Sequence, residues 1–144
     1  MKYFIVILAA VVLEAQAADD DYKLKTPEEF NAMARECHRE FPFSKELQNQ
    51  EDNLDFSDDE TVRKYEVCFY RKLGILDADN NFNGERLVKQ FEAVLDVEGI
   101  EQKVNNCVDK NEQGRPVDEY VSRIQRCIDK TDIAPNLLKV IGKL

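Results

Sequence analysis

The side chains whose chemistry could go beyond packing and solvation are few: four cysteines, one histidine, and scattered carboxylates and amides. His38 is the single histidine, so a multi-histidine metal centre is excluded and no second imidazole can support a nucleophile. Next to Cys37 at a helix end, it reads as a solvated side chain, with a pH sensor as the sharper alternative. Paired acids at Asp58 and Asp59, and at Asp77 and Asp79, sit in capping and turn positions. Acid/base chemistry needs a carboxyl lifted by burial, which such polar runs do not suggest. The run 79–84, DNNFNG, matches the first half of a calcium loop, with oxygen side chains at alternate positions and the turn glycine. Its twelfth position is Gln90, so the bidentate carboxylate is missing. A turn that caps a helix is the expectation there, with no metal and no cofactor.

The cysteines need a compartment before they can be read. Residues 1–17, MKYFIVILAAVVLEAQA, have one Lys, an apolar run over 3–13 and small residues at Ala15 and Ala17, which is the pattern of a secretory signal. No later apolar stretch approaches the roughly 20 residues of a membrane span. A secreted, extracellular chain starting near Ala18 and forming one domain over 18–144 is therefore expected, with Cys37, Cys68, Cys107 and Cys127 in an oxidising space. Four cysteines allow three pairings. Pairing Cys37 with Cys68 and Cys107 with Cys127 closes two separate loops, each worth roughly 3 kcal/mol by the chain-entropy estimate.

The elements that must position these groups are helical. The chain has no Trp, 5 Gly and 4 Pro, and its net charge of -9 gives no electrostatic attraction to nucleic acid or anionic membrane. The organising stretch is 57–76, SDDETVRKYEVCFYRKLGIL, in which Ser57 and Glu60 form a capping box and Gly74 ends the helix. Val62, Tyr65, Phe69 and Leu73 make its apolar face, with Cys68 on the flank. Before it, Thr26 and Pro27 open a helix bearing Phe30, Ala34, Cys37 and Phe41, and 44–51 is a weak second helix. Phe56 anchors the acidic connection that follows. After it, Asn83 caps a fourth helix with Leu87, Phe91, Val94 and Leu95. A fifth carries Ile100, Val104, Cys107 and Val108. Pro116 starts a sixth with Val117, Tyr120, Val121, Ile124, Cys127 and Ile128. Beyond Pro135 the tail is apolar enough to fold back, either as core cover or as a cavity wall.

The signal segment, Cys68 followed by FYRKLGIL, the acidic turn at 77–84 and Cys127 within YVSRIQRCI together resemble the insect odorant-binding protein family of pheromone and general odorant binders. That family has six cysteines, the second and third separated by three residues and the fifth and sixth by eight. Those spacings put its second cysteine at Lys64 and its fifth at Asp118 in this sequence. The two pair with each other in the family, and both are absent here, as in the four-cysteine subgroup called minus-C. Lys64 and Asp118 are oppositely charged, so an ion pair in place of the bridge is one reading and two solvated charges the other.

The resemblance implies an all-α fold of six short helices around a hydrophobic cavity, and a carrier of small hydrophobic molecules instead of an enzyme. On that basis the cavity residues are Tyr65, Phe69, Leu73 and Leu76 from the central helix and its exit, and Phe91, Val94 and Leu95 from the fourth. The sixth adds Tyr120, Val121 and Ile124, and the tail Leu137, Leu138 and Val140. Tyr65 and Tyr120 could offer a hydroxyl to a ligand oxygen. The partner is then a small hydrophobic ligand, with a membrane chemoreceptor reached only indirectly, no nucleic acid, no membrane insertion, and a monomer or weak homodimer. Periodicity cannot tell a filled interior from a hollow one. A secreted interaction protein of glandular or venom fluid, acting through its surface with a filled core, is the alternative.

Overall fold

In a computed structural model, the structure describes residues 21–55 and 58–141. The signal segment 1–17, the capping role of Ser57 and the anchor Phe56 lie outside the described residues. The fold is all-α, with seven helices among the described residues where six were expected. They are α1 (Pro27–Glu40), α2 (Lys45–Asp52), α3 (Glu60–Leu73), α4 (Gly84–Val94), α5 (Ile100–Cys107), α6 (Val117–Asp129) and α7 (Ile133–Val140). The tail supplies the extra one. Pro135 is the third residue of α7, inside the first turn, where a missing N–H breaks no helical hydrogen bond.

Local chemistry sets the ends of the helices. At α1 the Thr26 hydroxyl accepts from the Glu29 N–H at 3.2 Å and the Glu29 carboxylate accepts from the Thr26 N–H at 2.8 Å, a complete capping box. Asp59 caps α3, accepting from the Thr61 N–H at 2.7 Å, and Gly74 stops it in the left-handed conformation at φ +77°. In the turn between α3 and α4, one carboxylate oxygen of Asp77 accepts from the N–H groups of Asp79 and Asn81, both at 2.9 Å. Asn83 accepts from the Arg86 N–H at 3.0 Å and so caps α4. The DNNFNG run is thus a turn and a cap, and Phe82 is buried in the core.

Helix α3 packs most extensively on α6 and next on α1. The Cys37–Cys68 disulfide ties α1 to α3, and Cys107–Cys127 ties the end of α5 to α6. Being held from two sides gives α3 a wider buried face than its apolar spacing indicates. Glu66, Val67 and Tyr70 are buried along with Val62 and Leu73, whereas Tyr65 and Phe69 are half-buried.

An unexpected clamp joins the segment ahead of α1 to this framework. Gln90 of α4 is fully buried. Its side-chain oxygen accepts from the Lys25 N–H at 2.8 Å, and its nitrogen donates to the Lys25 carbonyl at 2.8 Å. The Tyr22 hydroxyl, 3.0 Å from the Leu73 carbonyl, is also 3.2 Å from the Gln90 oxygen. One amide therefore acts as a substitute backbone for a passing strand of chain.

Candidate ligand-binding cavity

A cavity of about 130 Å³ opens between α1, α3, α4, α6 and α7, with Glu51 and Leu54 at its edge. Tyr65, Phe69, Leu73, Phe91, Leu137 and Leu138, all expected from the sequence, line it. Seven others do not reach it. Leu76, Leu95, Tyr120, Val121 and Ile124 are buried in the packed core instead, Val94 is half-buried against that core, and Val140 is an exposed side chain of α7. The reason is that α6 divides its broad apolar face between neighbours. Its first turns pack into the core, and only its last turns, from Gln125 to Asp129, border the cavity.

The Tyr120 hydroxyl is also engaged elsewhere, donating to the Asp109 carbonyl. Phe30, Val62, Leu87, Ile128 and Ile133 line the cavity without having been singled out. The apolar helical positions of the first four marked them as interior, but periodicity does not say which interior residues face a void.

The aromatic side of the cavity is continuous. Phe30 and Phe69 have ring centroids 5.8 Å apart, and Tyr65 lies 6.2 Å beyond Phe69. His38 stacks on Tyr65 at 4.3 Å, meets Phe43 edge-on at 4.6 Å, and places its Nε2 3.4 Å from the Glu51 carboxylate. It is a half-buried member of an aromatic stack, not the solvated side chain expected.

Part of the cavity wall is polar, and it follows the contact of α3 with α6. Three steps ascend both helices together, so the two run in the same direction. First, Arg63 Nε donates to Asp118 at 3.1 Å. One turn on, the Ser122 hydroxyl lies near enough to Glu66 to favour its charged form. Then Tyr70 donates to the Gln125 side-chain oxygen, and Gln125 donates to Asp129 at 2.7 Å. The sequence left open whether Lys64 and Asp118 form an ion pair or are two solvated charges; the structure pairs Asp118 with Arg63 instead. Lys64, about 100° further round the helix, faces solvent and pairs with Glu60 at 2.6 Å.

Two carboxyls of this seam, Glu66 and Asp129, border the cavity, and neither was among the residues expected from the sequence. Glu66 follows Val62 by one helical turn and precedes Tyr70 by another, a position that was the one available signal. Burial is the first cause pushing Glu66 up to about 8, and the Asp129 charge adds to it, while Ser122, Arg126 and Arg63 pull the other way. Burial likewise pushes Asp129 up to about 6, against the hydrogen bond from Gln125 and the charge of Arg126. Among the described residues, no group of three or more His, Cys, Asp and Glu is placed to hold a metal ion.

Short helices tied by two disulfides, with a small apolar space inside them, define a disulfide-bridged helical fold of the insect odorant-binding type. The chain belongs to the PBP/GOBP family, whose profile matches residues 19–131. It is similar to general odorant-binding protein 99a of Drosophila melanogaster, 28% identical over 136 residues covering 93% of each chain. It is also similar to odorant-binding protein 22 of Aedes aegypti, 23% identical with 93% of this chain and 94% of the relative covered. Four cysteines in two disulfides fit the minus-C subgroup.

Proposed function

We propose that this chain is a secreted, single-domain carrier that takes one small hydrophobic molecule into the cavity between α1, α3, α4, α6 and α7. Tyr65, Phe69, Leu73, Phe91, Leu137 and Leu138 would be the main apolar contacts. The observation carrying this reading is the space of about 130 Å³ lined mostly by aromatic and aliphatic side chains, in a chain whose relatives are named odorant-binding proteins. A dry apolar cavity of about 150 Å³ is known to take benzene, so the ligand that fits without rearrangement is a single ring or a short chain.

Burying about 250 Å² of apolar ligand surface at about 25 cal/mol per Å² contributes roughly 6 kcal/mol, from which the cost of association is subtracted. Affinity in the tens of micromolar or weaker follows, which suits a carrier that must also release. Calorimetric titration of the oxidised protein with benzyl alcohol and hexan-1-ol tests the reading. One site per chain is expected, and Ala34→Phe, which puts a ring into the space that Ala34 lines, should abolish uptake while leaving the helical spectrum unchanged. Absence of any heat, or binding indifferent to Ala34→Phe, would rule out the cavity as the site and favour a protein that acts through its surface.

A further inference from the structure

The polar wall limits what kind of head group the ligand can carry. Glu66 is 5% exposed, and its Oε2 has no hydrogen-bond partner. Asp129 Oδ1 accepts from Gln125, but its Oδ2 has no partner either. Both residues line the cavity. Among the described residues, the buried side-chain atoms left without a partner are Gln50 Oε1, Glu66 Oε2 and Asp129 Oδ2, all of them oxygens. With both carboxyls ionised, the unmet capacity is acceptor capacity, and a buried acceptor without a donor is a penalty that a donor brought by the ligand relieves.

The nearby cations do not fill this role. Arg63 and Arg126 both turn to Asp58, at 2.7 and 2.6 Å, and Arg126 also contacts Ser122 at 3.2 Å. The remaining walls bring no cation: α4 contributes Leu87 and Phe91, α7 contributes apolar side chains, and α2 contributes Glu51, which His38 of α1 contacts. Tyr65 and Tyr70 of α3 complete the groups around Glu66, and the Tyr70 hydroxyl is already given to Gln125.

We propose, building on the carrier reading, that the cavity selects small amines, bound as the ammonium ion with the nitrogen at Glu66 and Asp129 and the apolar body against Phe69, Phe91, Leu137 and Leu138. An ammonium brings several donors and a positive charge to two acceptors; an alcohol brings one donor, and a carboxylate brings none and is repelled. Burial holds a proton on Glu66 near neutral pH. An arriving ammonium favours the ionised carboxylate, so binding releases the Glu66 proton to solvent.

Benzylamine, benzyl alcohol, benzoate and toluene share one shape and differ in the head, so calorimetry on the full oxidised protein near pH 7, in two buffers of different ionisation enthalpy, reads the selection. Benzylamine should bind about tenfold or more tighter than benzoate, and tighter than benzyl alcohol, with a measurable proton release. Glu66→Gln should lower benzylamine affinity about tenfold and remove the proton release, leaving benzyl alcohol within about twofold. Asp129→Asn should lower benzylamine affinity too, and carries the test by itself if Glu66→Gln does not fold. Benzoate binding as tightly as benzylamine, or benzylamine affinity unchanged in the variants, overturns the inference. Toluene and benzyl alcohol binding with no preference for the amine defeats this inference alone; no uptake of any of the four defeats the carrier reading as well.

Discussion

Glu66 is where single-residue chemistry departs most from what the sequence suggests. Its carboxyl is buried between α3 and α6, and burial raises its affinity for a proton. The native state therefore keeps a proton that the unfolded chain gives up near the ordinary value of 4.5. From there to about 8 the folded protein binds more protons than the unfolded one, so stability falls as pH rises across that window. Asp129 acts with the same sign between its ordinary 3.8 and about 6. Glu66→Gln removes the first of these slopes. At pH 8 the variant should be more stable than the parent, by on the order of a few kcal/mol, and the two should converge near pH 4. Thermal melts of both proteins over that range check this, and parallel curves would show that Glu66 ionises as freely in the fold as out of it.

At the scale of elements, the polar seam and the Gln90 clamp do what apolar packing alone cannot, which is to fix register. Arg63 with Asp118 and Tyr70 with Gln125 lock α3 and α6 at two levels, with Glu66 beside Ser122 between them. The first level lies where the family's missing bridge would have been. Gln90 does the same for the segment ahead of α1. Replacing it with Leu keeps the volume but leaves both the Lys25 N–H and its carbonyl without their partner. The expected loss is about 1 to 3 kcal/mol in denaturant unfolding, together with faster hydrogen exchange at the Lys25 amide. Unchanged exchange there would mean that the segment is held by Tyr22 and not by the amide. Helix α7 is a further case, since Ile133, Ala134 and Leu138 are buried and also line the cavity.

For the whole molecule, the two disulfides have different jobs despite similar loop lengths. Each closes a loop worth roughly 3 kcal/mol by the chain-entropy estimate, so Cys37→Ser with Cys68→Ser, and Cys107→Ser with Cys127→Ser, should lower stability by similar amounts. Ligand uptake should separate them. The first pair joins α1 to α3, both of which line the cavity, whereas of α5 and α6, joined by the second, only α6 lines it. Loss of Cys37–Cys68 is expected to weaken benzyl alcohol binding more, measured by titration where both variants are still folded. Equal losses would show that the cavity's shape is set by the core as a whole. The all-helical class, the capping at Thr26 and Asn83 and the stop at Gly74 were legible from the sequence, because each depends on residues a turn apart, whereas the cysteine pairing was one of the three that four sulfurs allow, the one that closes two separate loops. Of the cavity lining, six of the 21 residues, Tyr65, Phe69, Leu73, Phe91, Leu137 and Leu138, were among those expected. Tertiary structure decided which side of α6 faces the void, that the tail is a helix despite Pro135, that Asp118 belongs to Arg63, and that Glu66, Asp129 and Gln90 are interior. A linear pattern records which residues leave water, but a buried carboxyl or an unfilled space exists only where several helices meet, and no local spacing encodes that meeting.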